Sequence, residues 1–279
     1  MRLLHEYERS VRQKLLVPVF TCAVVLSAMS VQANDKNPLS YWLTAPHRTP
    51  RNVARDIYRH PIETLMFFGV KDNSTVVEIL PGSGGYYLEL LAPYLKARGI
   101  YIAANRDELA GPRNLAGHKK LLARLKKDPV IFDKVRLTKF DADGREIAPP
   151  GTANFVLTFR NLHNWIPRDR AEGALRAFYR ALKPGGVLGV VDHRGRADQS
   201  QEAQNKLGYV REDVAIELIE KAGFKLVGRS EVNANPKDRK DYPQGVWTLP
   251  PTYRLGETDR AKYQAIGESD RFTHKYVKQ

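Results

Sequence analysis

A chain of 279 residues, 42% hydrophobic and 27% charged, is long and apolar enough to bury a full core, which excludes a disordered or fibrous protein and suits one α/β domain with additions. Its 45 basic and 31 acidic residues give a formal charge of +14, spread along the sequence except for a local concentration at Lys119, Lys120, Arg124, Lys126 and Lys127. No zinc-finger spacing or RNP-like aromatic motif accompanies that concentration, so it reads as a solvated helix face, and nucleic acid is not indicated as a partner.

Arg2, Arg9, Arg12 and Lys14 precede an apolar run over 15–29, followed by Ser30-Val31-Gln32-Ala33 and then polar residues. That order is the basic region, apolar core and small-residue cleavage site of a secretory signal peptide over 1–33, and it predicts a periplasmic or secreted protein beginning near Asn34. The run is short for a membrane span, and anchorage through an uncleaved segment is the alternative. The only cysteine, Cys22, falls in the removed part. The mature chain then has no disulfide, no thiolate nucleophile and no cysteine metal ligand, and no other metal-ligand set is expected.

Residues 34–69 are polar, aromatic and broken by proline, with helical potential at 52–58 and 62–68. They read as an N-terminal helical cap that brings Arg55, Asp56, Arg59 and His60 over a substrate, or else as an ion-paired surface. The main domain, 70–252, opens on the most informative stretch of the chain, TVVEILPGSGGYYLELLAPYL over 75–95. Val76, Val77 and Ile79 form the β-branched run of an interior parallel strand, and Leu88, Leu91, Ala92 and Leu95 recur at helical spacing. Between them, Gly82, Gly84 and Gly85 permit a tight turn and a close approach to a ligand at a helix N-terminus. Further strands are expected at 100–104, 135–140, 155–159, 187–192, 224–230 and 245–249. Helical faces at Ala171, Leu175, Phe178 and Leu182, and at Val214, Leu218 and Ile219, alternate with them. Residues 253–279 are polar and read as a C-terminal tail or surface wrap.

Such a strand, turn and helix is the nucleotide-binding corner of a doubly wound α/β sheet. The dinucleotide pattern G-x-G-x-x-G fails at Tyr87, which disfavours a nicotinamide oxidoreductase; no Walker Gly-Lys-Ser/Thr is present, and no G-x-S-x-G elbow surrounds Ser83. Glu78 followed by Gly82 and Gly84 instead resembles the first motif of the class I S-adenosylmethionine (SAM) dependent methyltransferases, acidic-x-Gly-x-Gly-x-Gly, with Leu80 standing at the first glycine. Lys183-Pro184-Gly185-Gly186-Val187-Leu188 resembles the turn into that family's fifth strand. FRNLHNW from Phe159, LGVVDHR from Leu188, NANPKD from Asn233 and GVWTLPP from Gly245 are similar to a group of bacterial predicted methyltransferases of unassigned substrate. The resemblance covers roughly residues 70–249. It implies a Rossmann-like, seven-stranded, mostly parallel sheet with an antiparallel last strand, an enzyme, and SAM as cofactor.

By that resemblance, Glu78 and the loop Pro81, Gly82, Ser83, Gly84 and Gly85 line the methionine half of SAM, with Tyr86 at the helix entrance. Asn105 falls where the family has an acid that holds the ribose hydroxyls, with Asp107 two residues on as the alternative acid. Asp141 and Ala142 resemble the pair that contacts adenine; a turn or cap role is the other reading of Asp141. Ligands of a doubly wound sheet lie at the carboxyl ends of its strands, so acceptor chemistry falls to the residues ending strands four and five. Transfer to a hydroxyl or amine needs a base, and His163, or Asp192 with His193, is the candidate; histidines that merely cap strand ends are the alternative. Asn161 and Asn164 can orient a small-molecule substrate, and Trp165 either walls the site or belongs to the core. No N-P-P-Y/F-like tetrapeptide follows strand four, which argues against amide and exocyclic amine methylation. A reading of a different class keeps the fold as an exported, non-catalytic ligand-binding module; Leu80, Asn105 and the export signal point that way.

Overall fold

The computed structural model describes residues 38–279 apart from 142, 144 and 145. The expected signal peptide over 1–33, and its alternative as an anchor, lie outside the described residues. Among the described residues no helix is long and apolar enough to cross a membrane.

In chain order the cap contributes α1 (Pro50–Val53), α2 (Asp56–Arg59) and α3 (Pro61–Phe68). There follow β1 (Thr75–Ile79), α4 (Leu88–Leu95), β2 (Ile100–Arg106), α5 (Pro112–Lys127), α6 (Pro129–Phe132), β3 (Arg136–Phe140) and β4 (Ala153–Phe159). The second half runs α7 (Leu162–Trp165), α8 (Ala171–Ala181), β5 (Leu182–His193), α9 (Gln201–Asn205), α10 (Glu212–Lys221), β6 (Phe224–Ser230), α11 (Arg260–Ile266) and β7 (Arg271–Lys278). The strands form one sheet of order β3-β2-β1-β4-β5-β7-β6. The first five are parallel, and β7 runs antiparallel to both of its neighbours.

Both faces of the sheet are covered, as a parallel sheet requires. Alternate strand residues point to opposite faces, and the core divides accordingly. Val76, Phe155 and Leu157 pack with Leu88, Leu91 and Leu95 of α4 and with Leu65 and Phe68 of the cap. Val77, Ile79 and Val156 pack with Leu175 and Phe178 of α8 and Ile219 of α10. Full burial of side chains of this size stabilises by about 1.5–3 kcal/mol each. The cap approaches the sheet closely at Gly189, where a Cβ would lie 2.9 Å from the Phe68 ring and 2.7 Å from Leu157. At the turn into β5, Lys183, Pro184 and Gly185 bulge out to solvent, and Gly185 takes φ +71°.

Two sequence expectations need correction. Residues 245–249 are not a strand: Gly245–Thr248 is a short 3-10 helix, with Gly245 at φ +52°. Pro243, Pro250 and Pro251 flank it and remove the amide donors a ladder would need. Nor are residues 253–279 a tail, and the domain does not stop at 252. They supply α11 and β7, and β7 lies inside the sheet between β5 and β6, with Phe272, Thr273, His274 and Tyr276 buried. Aromatic and β-branched residues outweigh the charges there: Arg271 pairs with Glu268 at the carboxyl edge, and Lys278 donates to Tyr179 O and Leu182 O at the other end.

Candidate active site

The chain leaves β1 at Ile79 and enters the glycine corner through Leu80, which holds a left-handed φ of +53° while its N–H donates to Ala104 O at 2.9 Å. This is a glycine conformation imposed on a leucine, at a cost of about 1–2 kcal/mol, so the backbone path of the motif survives the loss of its first glycine. Pro81 is half-buried, and Gly82, Ser83 and Gly84 form an exposed tip. A Cβ on Gly82 or Gly84 would meet nothing within 4 Å, so the tip is open to a ligand. Gly84 O accepts from Asn52 Nδ2 at 2.9 Å and from Arg124 Nη1 at 2.7 Å, and both donors also bond the buried Glu89 carboxylate. The cap and α5 thereby clamp the loop from two sides. Tyr86 and Tyr87 are buried at the entrance of α4; Tyr86 Oη donates to Asp56 Oδ1 at 2.6 Å, and Tyr87 stacks on Phe159 with centroids 3.7 Å apart.

Glu78 does not face the open tip. Its carboxylate is buried and accepts from Tyr101 Oη at 2.5 Å, bracing β1 against β2. Burial pushes its pKa up to about 7, against the opposing pull of the Tyr101 hydroxyl and the Arg59 charge. Asn105 is half-buried near the end of β2, opposite Lys139. The alternative acid, Asp107, is already committed: it accepts from Leu109 N at 3.0 Å and pairs with Lys139 Nζ at 3.2 Å. Asp141 follows β3 and accepts from Asp143 N at 3.1 Å, the bond of a turn residue. Ala142 lies outside the described residues.

At the ends of β4 and β5 the structure brings His163, Asp192 and His193 together. Asp192 is fully buried and takes two hydrogen bonds on each oxygen. Its Oδ2 accepts from Leu162 N at 2.7 Å and His163 N at 3.3 Å; its Oδ1 accepts from His193 N and from His163 Nδ1, both at 2.8 Å. A carboxylate with acceptors only makes Nδ1 of His163 the donor, which leaves the basic lone pair on Nε2, where it accepts from Asn164 Nδ2 at 3.0 Å, a bond an acceptor's proton has to replace. The His193 ring lies 4.9 Å from that of His163, and its Nδ1 meets Ser269 Oγ at 2.5 Å. Burial and the charges of His163, Arg271 and Arg59 hold His193 well below the ordinary histidine range, so it is a weak base. The three side chains place potential ligand atoms within 4.8 Å of one another. The saturated carboxylate, however, suits a positioned base better than a metal centre.

Asn161 and Trp165 belong to the framework. The Asn161 amide donates to Ile79 O at 3.3 Å and Thr158 Oγ1 at 3.1 Å, tying the start of α7 to the end of β1. Trp165 is buried against Phe140 and Phe178, with centroids 5.4 and 5.8 Å away, and does not wall the site. Arg55 and Arg59 do reach the carboxyl edge, where both pair with Glu268. His60 is half-buried and holds a left-handed φ of +38° as the hinge between α2 and α3. Sequence reasoning missed Arg160, Glu268, Ser269 and Arg271 at this edge; the alternation Phe272, His274, Tyr276 after Gly267 was the strand signal that could have found the last three.

No protein-family model matches the chain, and no curated protein matches its sequence. Solved structures do. A SAM-dependent methyltransferase from Aquifex aeolicus aligns at TM-score 0.54 and 17% identity over 82% of this chain and 94% of its own. Phosphoethanolamine N-methyltransferase 2 of Haemonchus contortus, solved in complex with S-adenosyl-L-methionine, aligns at TM-score 0.56 and 15% identity over 88% of this chain and 58% of its own. The chain has the class I methyltransferase fold. The cyclase SpnF shares it at TM-score 0.52 and 16% identity, over 79% of this chain and 80% of its own, so the methyltransferase fold alone does not assign a reaction.

The residues at the methyltransferase fold's cofactor position fit SAM in its backbone features. The tip is open at Gly82 and Gly84, α4 presents its N-terminus there, and Asn105 offers an amide for a ribose hydroxyl. The acidic group of the motif, Glu78, is buried with Oε2 accepting from Tyr101 Oη.

Proposed function

We propose that the protein transfers a methyl group from SAM to a small acceptor, with His163 as the base. The observation that supports this most is the His163–Asp192 dyad, which stands at the end of β4, the strand adjacent to the one that feeds the glycine corner. SAM, when bound, supplies an electrophilic methyl carbon on a sulfonium. The chain's part is to hold the acceptor in line and take its proton. As the methyl would pass to the acceptor's oxygen or nitrogen, with S-adenosylhomocysteine leaving, His163 Nε2 would take the acceptor's proton. Asp192 keeps Nδ1 protonated and stabilises the imidazolium that results.

Binding tests the reading first. SAM or its demethylated product S-adenosylhomocysteine at 100 times its dissociation constant adds about 2.7 kcal/mol, a clear rise in the thermal midpoint. Gly84→Val should abolish that rise while leaving the midpoint of the unliganded protein in place, because the added side chain meets only open space in the protein itself. No rise with either ligand in folded wild type would remove SAM. A rise without turnover on any acceptor would favour the non-catalytic binding module, which the buried Glu78 and the amide at Asn105 also suit.

We also propose export, on the order of basic, apolar and small residues over 2–33. N-terminal sequencing of protein from the periplasmic or secreted fraction should begin near Asn34. Full-length chain recovered from the soluble cytosol would overturn it.

A further inference from the structure

At the carboxyl edge, between the histidine pair and the glycine corner, four guanidinium groups converge on one carboxylate. Glu268 accepts from Arg55 Nε at 2.5 Å and Arg59 Nε at 3.2 Å, and it pairs with Arg271 Nη2 at 3.1 Å and Arg160 Nη1 at 3.9 Å. The arginines hold its carboxyl well below the usual carboxylate range. The other acids nearby are engaged elsewhere or weakened as counter-ions: Asp56 pairs with Arg48 and accepts from Tyr86, Asp270 pairs with Lys240, and Glu78, on which the Arg59 charge also acts, accepts from Tyr101 and is pushed by burial up to about 7. The cluster therefore carries an excess of positive charge in a largely buried setting. Arg59 is 3% exposed, and its Nη2 is buried with no hydrogen-bond partner among the described residues. Burying several guanidinium groups around a single carboxylate, with one Nη2 left unbonded, is costly, and a ligand that completes the arrangement explains it.

Its position says which ligand. Arg271 is the register partner of His193 across β5 and β7, and Ser269, two residues before it, bonds His193 Nδ1. On the other side the Arg59 guanidinium lies over the Tyr86 ring, 4.4 Å from its centroid, at the entrance of α4. The side chains of Arg160 and Arg55 retain 27% and 15% of their exposure and open the cluster to solvent. Arg160 and His60, which follows Arg59, both hold left-handed backbone at φ +60° and +38°, strain of the kind concentrated at functional sites.

We propose that this arginine cluster binds an oxyanion of the methyl acceptor, so that the substrate is a small molecule carrying a carboxylate or phosphate group beside the atom that is methylated. Planar guanidinium forks bind such groups in pairs of charge-assisted hydrogen bonds. The assignment rests on the methyl-transfer reading for the word acceptor, but its test does not depend on turnover.

Inorganic phosphate is the probe, titrated by calorimetry into the full protein at constant ionic strength set with chloride. Saturable binding to wild type is expected, weakened at least about tenfold by Arg160→Gln, whose side chain is the most exposed of the four, and by Arg59→Gln. The same titration with saturating S-adenosylhomocysteine separates the two sources of a carboxylate. An unchanged phosphate affinity supports an acceptor site. Competition would mean that the cluster holds the cofactor's own carboxylate, and it would overturn the proposal. Absence of phosphate binding to wild type, or binding indifferent to Arg160→Gln, would overturn it as well. Failure of SAM to bind leaves the phosphate titration intact and so sinks the proposed function separately.

Discussion

The glycine corner and the arginine–histidine edge lie on the same rim of one sheet and are built in opposite ways. The corner is contiguous in sequence, from Glu78 to Tyr87, and works through backbone: left-handed Leu80 and Gly82, an open tip, and a helix start. The edge is assembled from Arg55, Arg59, Arg160, His163, Asp192, His193, Glu268 and Arg271, side chains brought together when β4 pairs with β5 on one side and β7 inserts on the other. A backbone-built site tolerates a lost consensus residue, as Leu80 shows, because the path is held by Ala104 O and by the clamp on Gly84 O. A site built from side chains has no such reserve; each group has one role and one position.

The sharpest way to separate the two regions is to remove the base and leave its support. In His163→Asn the amide can still donate to Asp192 from the place of Nδ1, while the Nε2 lone pair is gone. Turnover should fall by roughly two to four orders of magnitude, the usual contribution of a positioned general base and equivalent to about 3–5 kcal/mol at the barrier. S-adenosylhomocysteine affinity, measured by calorimetry, should change less than about twofold, since the corner is untouched. Turnover that survives the substitution would move the base elsewhere. Joint loss of turnover and cofactor affinity would show that the two regions are not independent.

This contrast also explains what the sequence made legible. The corner was readable because strand, turn and helix fall within twenty-odd consecutive residues, and β6 was placed residue for residue by its own pattern. His163, Asp192 and His193 were readable as strand-end residues, but not their bonds, which depend on β4 and β5 lying side by side. Glu268 and Arg271 were hidden because charged residues dilute the hydrophobic signal of β7. Glu268 is buried by pairing with Arg55 and Arg59 more than two hundred residues away in sequence, which no local periodicity registers, and Arg271 pairs with Glu268 in turn.

Within the corner, Glu78 gives a pH signature that the edge should not share. Its folded-state pKa is raised to about 7, while in the unfolded chain it titrates near 4.5, the ordinary value for a glutamate. The folded state therefore binds the proton more tightly. Its contribution to stability is full below pH 4.5 and is lost as pH rises through about 7. Wild type should lose about 2–3 kcal/mol from this group between pH 5 and pH 8, read by denaturant unfolding, and Glu78→Gln should remove that slope. If both proteins show the same pH dependence, the carboxylate is ionised throughout, and the bond from Tyr101 together with the Arg59 charge outweighs burial.

The smallest effect should come from restoring the family's acid at the end of β2. Asn105 offers one acceptor oxygen and an amide donor, whereas a carboxylate offers each ribose hydroxyl its own acceptor oxygen. The position can carry the charge: Asn105 is half-buried and its register partner on β3 is Lys139, whose Nζ already holds Asp107 and Glu108. Asn105→Asp should therefore leave the unfolding midpoint within about 0.5 kcal/mol of wild type. It should tighten S-adenosylhomocysteine binding by no more than about tenfold, the scale of one charge-assisted hydrogen bond replacing a neutral one. 5′-Methylthioadenosine, which keeps the ribose and lacks the amino-acid end, should gain by the same factor if the contact is to the sugar. A gain for S-adenosylhomocysteine alone would place the new carboxylate near the amino group instead, and no gain for either would mean that the ribose lies away from β2 and that the amide at this position is not a weakened family contact.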